Sequence, residues 1–394
     1  MAITVQEIHD REQWDAFLLR QPHGHFLQSY EWGELHDKLG ERIYRLGALE
    51  DGQLVGVMML VVSTISLPLP KIKPTWLYCG RGPVLARPDP LILLRLLSYI
   101  AGIAQQHHAV MLRVEPNIAD DDPDLDIWLA VYHKAGFGRN PHSIHGRRSW
   151  VLDIRPPMDR LRAQFKPLWR QNISLAEQYG MHVRVTYSAT DFEIYYHLLQ
   201  QHSNREGLFL HSKEYHWLLY SSFVVNPGTR DTMWAHDAVI LQIVYHGRVI
   251  AAKMLLRFGD WCWDMYSASA DPADLTEVVE YSLVDYLLQY YALCWAQDQG
   301  CRYFDFRSIP EVLMPGEDLW DEYEYKKGFG GFSRLNMLTQ DYVYQPLIYK
   351  PWRALAELKH EPRHRHAERQ SSELGRFTTE LPERAEQVEP RTGD

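Results

Sequence analysis

Residues 323–331 read Tyr323-Glu-Tyr-Lys-Lys-Gly-Phe-Gly-Gly331, and an earlier stretch repeats the pattern as Tyr132-His-Lys-Ala-Gly-Phe-Gly138. Aligned on Gly-Phe-Gly, Lys134 falls opposite Lys326 and Ala135 opposite Lys327. Read as a strand, adjacent lysines would point to opposite faces. The glycines permit positive φ or close backbone approach. A second matched pair fixes the register: Asp51-Gly-Gln-Leu-Val-Gly-Val-Met-Met-Leu60 and His246-Gly-Arg-Val-Ile-Ala-Ala-Lys-Met-Leu255. Both read as a tight turn entering an apolar strand. Gly52 to Gly136 spans nearly the same length of chain as Gly247 to Gly328. Between these marks each half reads strand, strand, helix, strand, then the Gly-Phe turn. Solenoid repeats run roughly 20–50 residues, so this longer repeat predicts two copies of one α/β domain. Only the second copy has both lysines. Chemistry is therefore expected in that copy, or in the groove between the two.

The length allows about two or three domains. A net charge of −10 argues against wrapping long nucleic acid, which requires a basic surface. Docking one RNA end in a local basic cleft stays compatible with it. Cys79, Cys262, Cys294 and Cys301 form no CxxC pair, as expected of a protein in a reducing cytoplasm. The N-terminus lacks a charged-then-apolar signal pattern. The longest apolar run, Leu54 to Leu69, is interrupted by Ser63, Thr64, Ser66 and Pro68. It falls short of the roughly 20 residues that span a bilayer and reads as two strands.

Along the chain, Gln28 and Ser29 offer caps for a helix carrying Trp32 and Leu35. His36 sits one turn beyond Trp32, near the same face. Arg81-Gly-Pro83 reads either as a turn closing a strand or as an arginine held at a strand end facing a groove. Val110 to Glu115 is a strand ending on a carboxylate, at a sheet edge where sites collect. Pro156-Pro157 is the linker candidate. A helix from Trp169 stops at Gly180. Lys166, Arg170 and Arg162 make its start the most basic local patch, either a solvated face or a contact surface. Past Tyr349 the chain turns polar, with His360, His364 and His366, and reads as a disordered tail. No GxSxG, HExxH, Walker or GxGxxG signature is present, nor any His/Cys spacing for zinc. Neither half carries the loop with which acetyl-CoA-dependent N-acetyltransferases cradle pyrophosphate.

Four motifs in order, Phe26-Leu-Gln-Ser-Tyr-Glu-Trp-Gly33, Arg81-Gly-Pro-Val84, Trp169-Arg-Gln-Asn-Ile-Ser-Leu-Ala-Glu177 and Tyr325-Lys-Lys-Gly-Phe-Gly-Gly331, resemble the Fem aminoacyltransferases (FemABX). The resemblance runs to about Tyr349. It implies an α/β (α+β) chain of two tandem N-acetyltransferase-like (GNAT) domains. The first would cover 1–155, completed by about 335–355, the second 156–334, and a tail 356–394. No heptad stretch predicts a coiled-coil arm. The implied activity is transfer of an amino acid from aminoacyl-tRNA to the stem peptide of a peptidoglycan precursor, UDP-linked or lipid II. Aminoacyl-tRNA is then a co-substrate, and no cofactor or metal is expected. A cytoplasmic protein is implied, without a transmembrane segment, meeting the membrane only peripherally through lipid II.

Position by position, the resemblance ties Lys326 to the tRNA end and to catalysis. Lys327, Lys166 and Arg170 join it as the expected tRNA contacts. His36 stands where the family often has a phosphate-binding lysine, and Glu115-Pro116 where it often has Asp-Pro. His211, Tyr215, Tyr266 and Arg81 are the expected substrate side. Asp305-Phe-Arg-Ser308 replaces the usual Asp-x-Gly-Gly. In such a reaction an amine attacks an ester already activated on ribose. No covalent enzyme intermediate is expected. Alignment of the reactants and a cation at the developing charge supply the rate. Lys326 provides that cation or grips a terminal phosphate, and Glu115 orients or deprotonates the amine. Two other readings stand beside this one: an acyl-CoA-dependent N-acyltransferase of similar fold, and a duplicate-domain protein that only binds muropeptide.

Overall fold

The computed structural model describes residues 2–64, 74–224, 237–271 and 282–359. Its strands are β1 (Ile3–Glu7), β2 (Arg42–Glu50), β3 (Gln53–Thr64), β4 (Thr75–Gly80), β5 (Val84–Leu85), β6 (Ala109–Glu115), β7 (Gly138–Asn140), β8 (Arg148–Asp153), β9 (His182–Thr186), β10 (Asp237–Tyr245), β11 (Arg248–Phe258), β12 (Trp261–Ser269), β13 (Tyr303–Ser308), β14 (Phe332–Leu335) and β15 (Thr339–Val343). They form two sheets of matching order, β1-β2-β3-β4-β6-β15-β7 and β9-β10-β11-β12-β13-β8-β14. In each, an antiparallel meander meets one parallel pair, β4 with β6 and β12 with β13. The repeat read from the glycines is real. The β2–β3 and β10–β11 hairpins turn at Asp51-Gly52 and His246-Gly247, all four at positive φ.

The matching orders conceal an exchange. In each sheet one strand comes from beyond the other half. β8, which follows the first half, inserts between β13 and β14 of the second sheet. β15, which follows the second half, inserts between β6 and β7 of the first. The segment Arg148–Asp153, read from sequence inside the 1–155 unit, is thus a strand of the second sheet. A buried ion pair holds β15 in place. Arg113 on β6 donates two 2.8 Å bonds to Asp341, which also accepts from Asn140 at 2.7 Å and Tyr349 at 2.8 Å. Burial pushes the Asp341 carboxyl up, but these partners outweigh it and hold it below the usual range.

The lysine stretch is not a strand. Trp320–Lys327 is a helix, and the chain turns at Gly328–Gly331 before β14. The first copy does the same, with a helix over Leu125–Lys134. The glycines are sterically required. A Cβ on Gly328 would collide with the Trp169 indole, and one on Gly331 with the Val151 carbonyl. Gly331 also sits at φ +102, where side chains are strained.

Each half has its own core, and a third core joins them. That shared core packs Trp14, Phe17, Phe26 and Trp32 against Phe192, Phe223, Met254 and Trp263. Phe26 lies 4.8 Å from Trp263, ring to ring. Ser29 caps the Tyr30–Lys38 helix as expected, while Gln28 instead ties the Gly80 carbonyl (2.8 Å) to the Met59 amide (2.9 Å). A helix over Pro346–Lys359 packs Ile348, Tyr349 and Trp352 over Val110 and Met111. It runs past residue 356, where a disordered tail was expected to begin, because these apolar side chains find a partner in β6. The expectation for 360–394, including the His-rich tract, lies outside the described residues. So does that for Ile65 to Leu69 in the second strand of the apolar run.

Candidate active site

Where the two halves meet, a small, partly open cleft is lined from both sides. The first half supplies His25, Phe26 and Leu27 from a short turn, and Arg81 from the end of β4. The crossing chain supplies His145, Gly146 and Ser149, and the second half Trp263, Asp305, Arg307 and Ser308. The strand exchange therefore builds one wall of the site: the segment carrying His145 and Ser149 leads into the second sheet. The splay between β12 and β13, paired only at Trp261–Trp263 and Tyr303–Asp305, leaves Arg307 and Ser308 beyond the paired stretch.

Arg81 stands at φ +53, and its guanidinium donates to the Gly146 carbonyl at 2.6 Å. Of the two sequence readings for it, the groove-facing one describes its position. Glu115 does not line the cleft. Its buried carboxylate accepts from the Tyr78 hydroxyl at 2.7 Å, the Ile144 amide at 2.5 Å and the His145 amide at 3.2 Å. Burial raises its pKa, with Arg81 opposing. Three donors engage it, so it fixes the loop that presents His145 and Gly146 instead of facing a ligand.

Among the described residues, Asp305 is the one carboxylate in the lining. It accepts from Ser149 Oγ at 3.2 Å and the Arg307 amide at 2.7 Å, and burial pushes its pKa up. His25 and His145 are both buried. Burial first, then Arg81, drives each pKa well below the ordinary imidazole value. His25 Nδ1 accepts the Leu27 N–H at 3.1 Å, and its ring lies 4.9 Å from that of Trp263. Arg334 stands close behind, bound to Asn117 and over the Trp261 ring. Lys326, in the last helical turn, donates to the Ser308 carbonyl at 2.6 Å. It reaches the back of the cleft wall.

The remaining expected residues fall in three other places. Lys327 and Lys166 flank Glu324, at 3.1 and 3.2 Å, and Arg170 donates to the Ala163 carbonyl. These make a local basic group outside the cleft. His36 is buried against Trp32 and paired with Glu41. It does not line the cleft, though it acts electrostatically on His145. His211 stacks on Tyr215 with centroids 4.1 Å apart, and Tyr266 meets His216 at 4.7 Å. This aromatic cluster packs into the shared core, with Tyr266 half-buried, and desolvation brings His211 down to about 4 and His216 to about 3. Sequence reading missed His25, His145, Ser149, Trp263 and Arg307 as site residues. His25 abuts the Phe-Leu-Gln-Ser motif and Arg307 falls inside Asp305-Phe-Arg-Ser, the available signals.

Comparison with known proteins agrees with this architecture. A model of the FemAB family matches residues 10–127, and a model of the acetyltransferase (GNAT) domain matches residues 162–327. The solved structure of FemX superposes with a TM-score of 0.75 at 17% identity, covering 89% of this chain and 99% of FemX. A tandem GNAT protein from the clavulanic acid pathway gives 0.51 at 11% identity, covering 87% and 98%. The fold is therefore that of two tandem GNAT-like domains. Among the described residues the longest helix has 18 residues, and no coiled-coil arm is seen.

The resemblance to the Fem family drawn from the motifs holds as well. Proteins named lipid II:glycine glycyltransferase are similar in sequence. That of Staphylococcus epidermidis is 26% identical over 240 residues, 59% of this chain and 50% of its own length. That of Staphylococcus haemolyticus is 26% identical over 252 residues, 62% and 51%. The chain spans about half the length of these curated relatives.

Proposed function

We propose that this protein transfers an amino acid from aminoacyl-tRNA to an amine on the stem peptide of a peptidoglycan precursor, UDP-linked or lipid-linked. The observation that carries this reading is a cationic cleft between two GNAT-like halves, with the Lys326 ammonium held against its wall at Ser308. The names of the similar glycyltransferases and the absence of a pyrophosphate-cradling loop favour an aminoacyl donor over acyl-CoA. Four unpaired cysteines among the described residues suit a cytoplasmic setting. No described helix is long and apolar enough to cross a membrane, so a lipid-linked acceptor would be met at the membrane surface.

In the proposed reaction the acceptor nitrogen attacks the ester carbonyl carbon. The carbon–oxygen bond to ribose then breaks; of the two protons the ammonium loses, the first goes to a base before attack and the second to the departing ribose oxygen. An unperturbed lysine-type amine has a pKa near 10, so it arrives charged. Asp305 is placed to receive an ammonium and its proton. Its raised pKa makes it a better acceptor than an exposed aspartate. Lys326 stabilises the tetrahedral oxyanion, and Ser308 orients it. An RNA phosphate would replace Glu324 between Lys166 and Lys327, with Arg170 beside them. No cofactor beyond the charged RNA is required.

The test is single-turnover transfer from tRNA charged with labelled amino acids to UDP-linked pentapeptide or a lipid II analogue, read by mass. The precursor should gain one residue, and Lys326→Ala should lose about 100-fold or more in rate. Turnover that needs acyl-CoA, or precursor binding indifferent to charged RNA, would replace this reading.

A further inference from the structure

Among the described residues six that are not glycine sit at positive φ: Asp51, Arg81, His108, His246, Arg307 and Leu319. Five of them lie in turns. Arg307, at φ +66, is the one inside a strand. It sits in a β-bulge. Asp305 pairs with Val151 and Ser308 with Ser149, so Phe306 and Arg307 together face Trp150. Glycine is the residue that supplies left-handed φ in a bulge. An L side chain there crowds the following carbonyl. Glycine would make the same backbone with less strain, yet the chain keeps an arginine.

The bulge also re-aims the wall of the cleft. Strict alternation turns every second residue to one face. Here Asp305, Arg307 and Ser308 all line the cleft, while Phe306 packs behind them against Phe304 and Phe329, 4.9 and 5.9 Å ring to ring. The Arg307 amide holds Asp305 Oδ1 at 2.7 Å. Its side chain reaches across the splay, where Nη1 donates to Met265 Sδ on β12 at 3.4 Å. Its charge acts on Asp305, His25 and His145 around the cleft and on Tyr215 beyond it. The guanidinium therefore stands between the cleft and the aromatic cluster of Tyr215. Backbone strain held at a functional site points to a use for the side chain that causes it.

We propose that Arg307 is a specificity-determining residue for the acceptor: a guanidinium kept on a glycine-type backbone, donating to an oxygen of the acceptor peptide beside the amine that Asp305 receives. The Met265 thioether is a weak acceptor, and a peptide oxygen takes its place on binding. The inference rests on the acceptor being a peptide amine, as proposed above, and adds the residue that selects it. The charged RNA meets Lys166 and Lys327 outside the cleft and does not depend on this contact.

Two replacements separate strain from use. Arg307→Ala removes the guanidinium and keeps a side chain at positive φ; Arg307→Gly removes both. The glycine variant should melt about 2 °C or more above the alanine variant. Both should bind UDP-linked pentapeptide about tenfold or more weakly than wild type in calorimetric titration. Their affinity for charged tRNA should change less than about twofold. Arg307→Lys, which keeps the charge without the fork, should recover only part of the loss. A glycine variant that melts no higher than the alanine variant would show an unstrained position and overturn the inference. So would wild-type affinity for the pentapeptide in either folded variant. Loss of tRNA binding as large as the loss of pentapeptide binding would place the contact on the donor and overturn it as well. Arg307-dependent binding of the pentapeptide by a protein that transfers nothing would leave the inference standing and refute the transfer reading. Transfer in which the variants keep wild-type acceptor affinity would do the reverse.

Discussion

Glu115 separates two ways of building this site, and replacing it by Gln or Ala tells them apart. Its carboxylate accepts from the Tyr78 hydroxyl and from the Ile144 and His145 amides at 2.7, 2.5 and 3.2 Å, and the residue is 3% exposed. Removing it strands three donors away from water. Hydrogen bonds to a charged acceptor contribute roughly 1.5–3 kcal/mol each. The desolvation cost of the carboxylate, visible in its raised pKa, is relieved at the same time. The expected net loss for Glu115→Ala is about 2–4 kcal/mol. Glu115→Gln keeps one acceptor oxygen and should lose about half that. Urea unfolding followed by tryptophan fluorescence measures both. Transfer by Glu115→Gln should fall about tenfold at most, because the loop with His145 and Gly146 stays near its place. A general base removed from the reaction costs 10²–10⁴-fold, roughly two orders of magnitude or more. A Glu115→Gln protein of unchanged stability that loses transfer to that extent would refute the positioning role.

Asp341→Ala should destabilise by about 3–5 kcal/mol, since it leaves the Arg113 guanidinium buried without its carboxylate; a loss under 1 kcal/mol in urea would show that β15 is held by its backbone alone. The Asp341 carboxyl titrates below its unfolded value. Its contribution is therefore present above about pH 4 and lost as pH falls through the lower, folded pKa, and an Asp341→Ala protein should lack this acid limb. His211 and His216 shift the other way, down to about 4 and about 3. The unfolded chain binds protons first as pH drops below about 6.5. Stability should fall by about 1 kcal/mol per histidine between pH 7.5 and 5.5, and a urea midpoint that does not move would contradict their burial as neutral rings. Gly328→Ala forces a methyl into the Trp169 indole and should cost about 1–3 kcal/mol, read as a lowered melting temperature.

The repeat was legible because its marks are local. Asp51-Gly52, His246-Gly247, Gly136 and Gly330-Gly331 all need positive φ, and glycine and turn residues announce that in any window. The two lysines were legible as a pair but not as a helix end. The Trp320–Lys327 helix has no side-chain cap and little apolar periodicity, with Tyr323 its one buried residue. The exchange of β8 and β15 left no local trace, since a strand reads alike in whichever sheet it pairs. Its determinant is long-range, the Arg113–Asp341 pair. The cleft was hard to read for the same reason. His25, Arg81, His145 and Asp305 come from four separate stretches and meet only when both halves have folded. Lys326 alone among the expected catalytic and tRNA contacts reaches the cleft wall. His36 and His211 are the opposite case: residues singled out by motif position that the fold seals against Glu41 and Tyr215.

The reciprocal strand insertion bears on motion. Two-lobed enzymes commonly close on their substrates by swinging the lobes about a hinge of a few loop residues. Here such a swing would have to bend both crossing connections, residues 141–147 and 336–338, at once, with the shared aromatic core between them. The lobes are clasped like interlocked fingers, and the cleft walls hang from the clasp itself. Substrate entry then depends on side chains and short loops at the rim. Folding is affected too. While the chain is being synthesised, the first sheet keeps an open slot between β6 and β7 until residues 339–343 emerge, so neither lobe is complete until almost the whole described chain has been made.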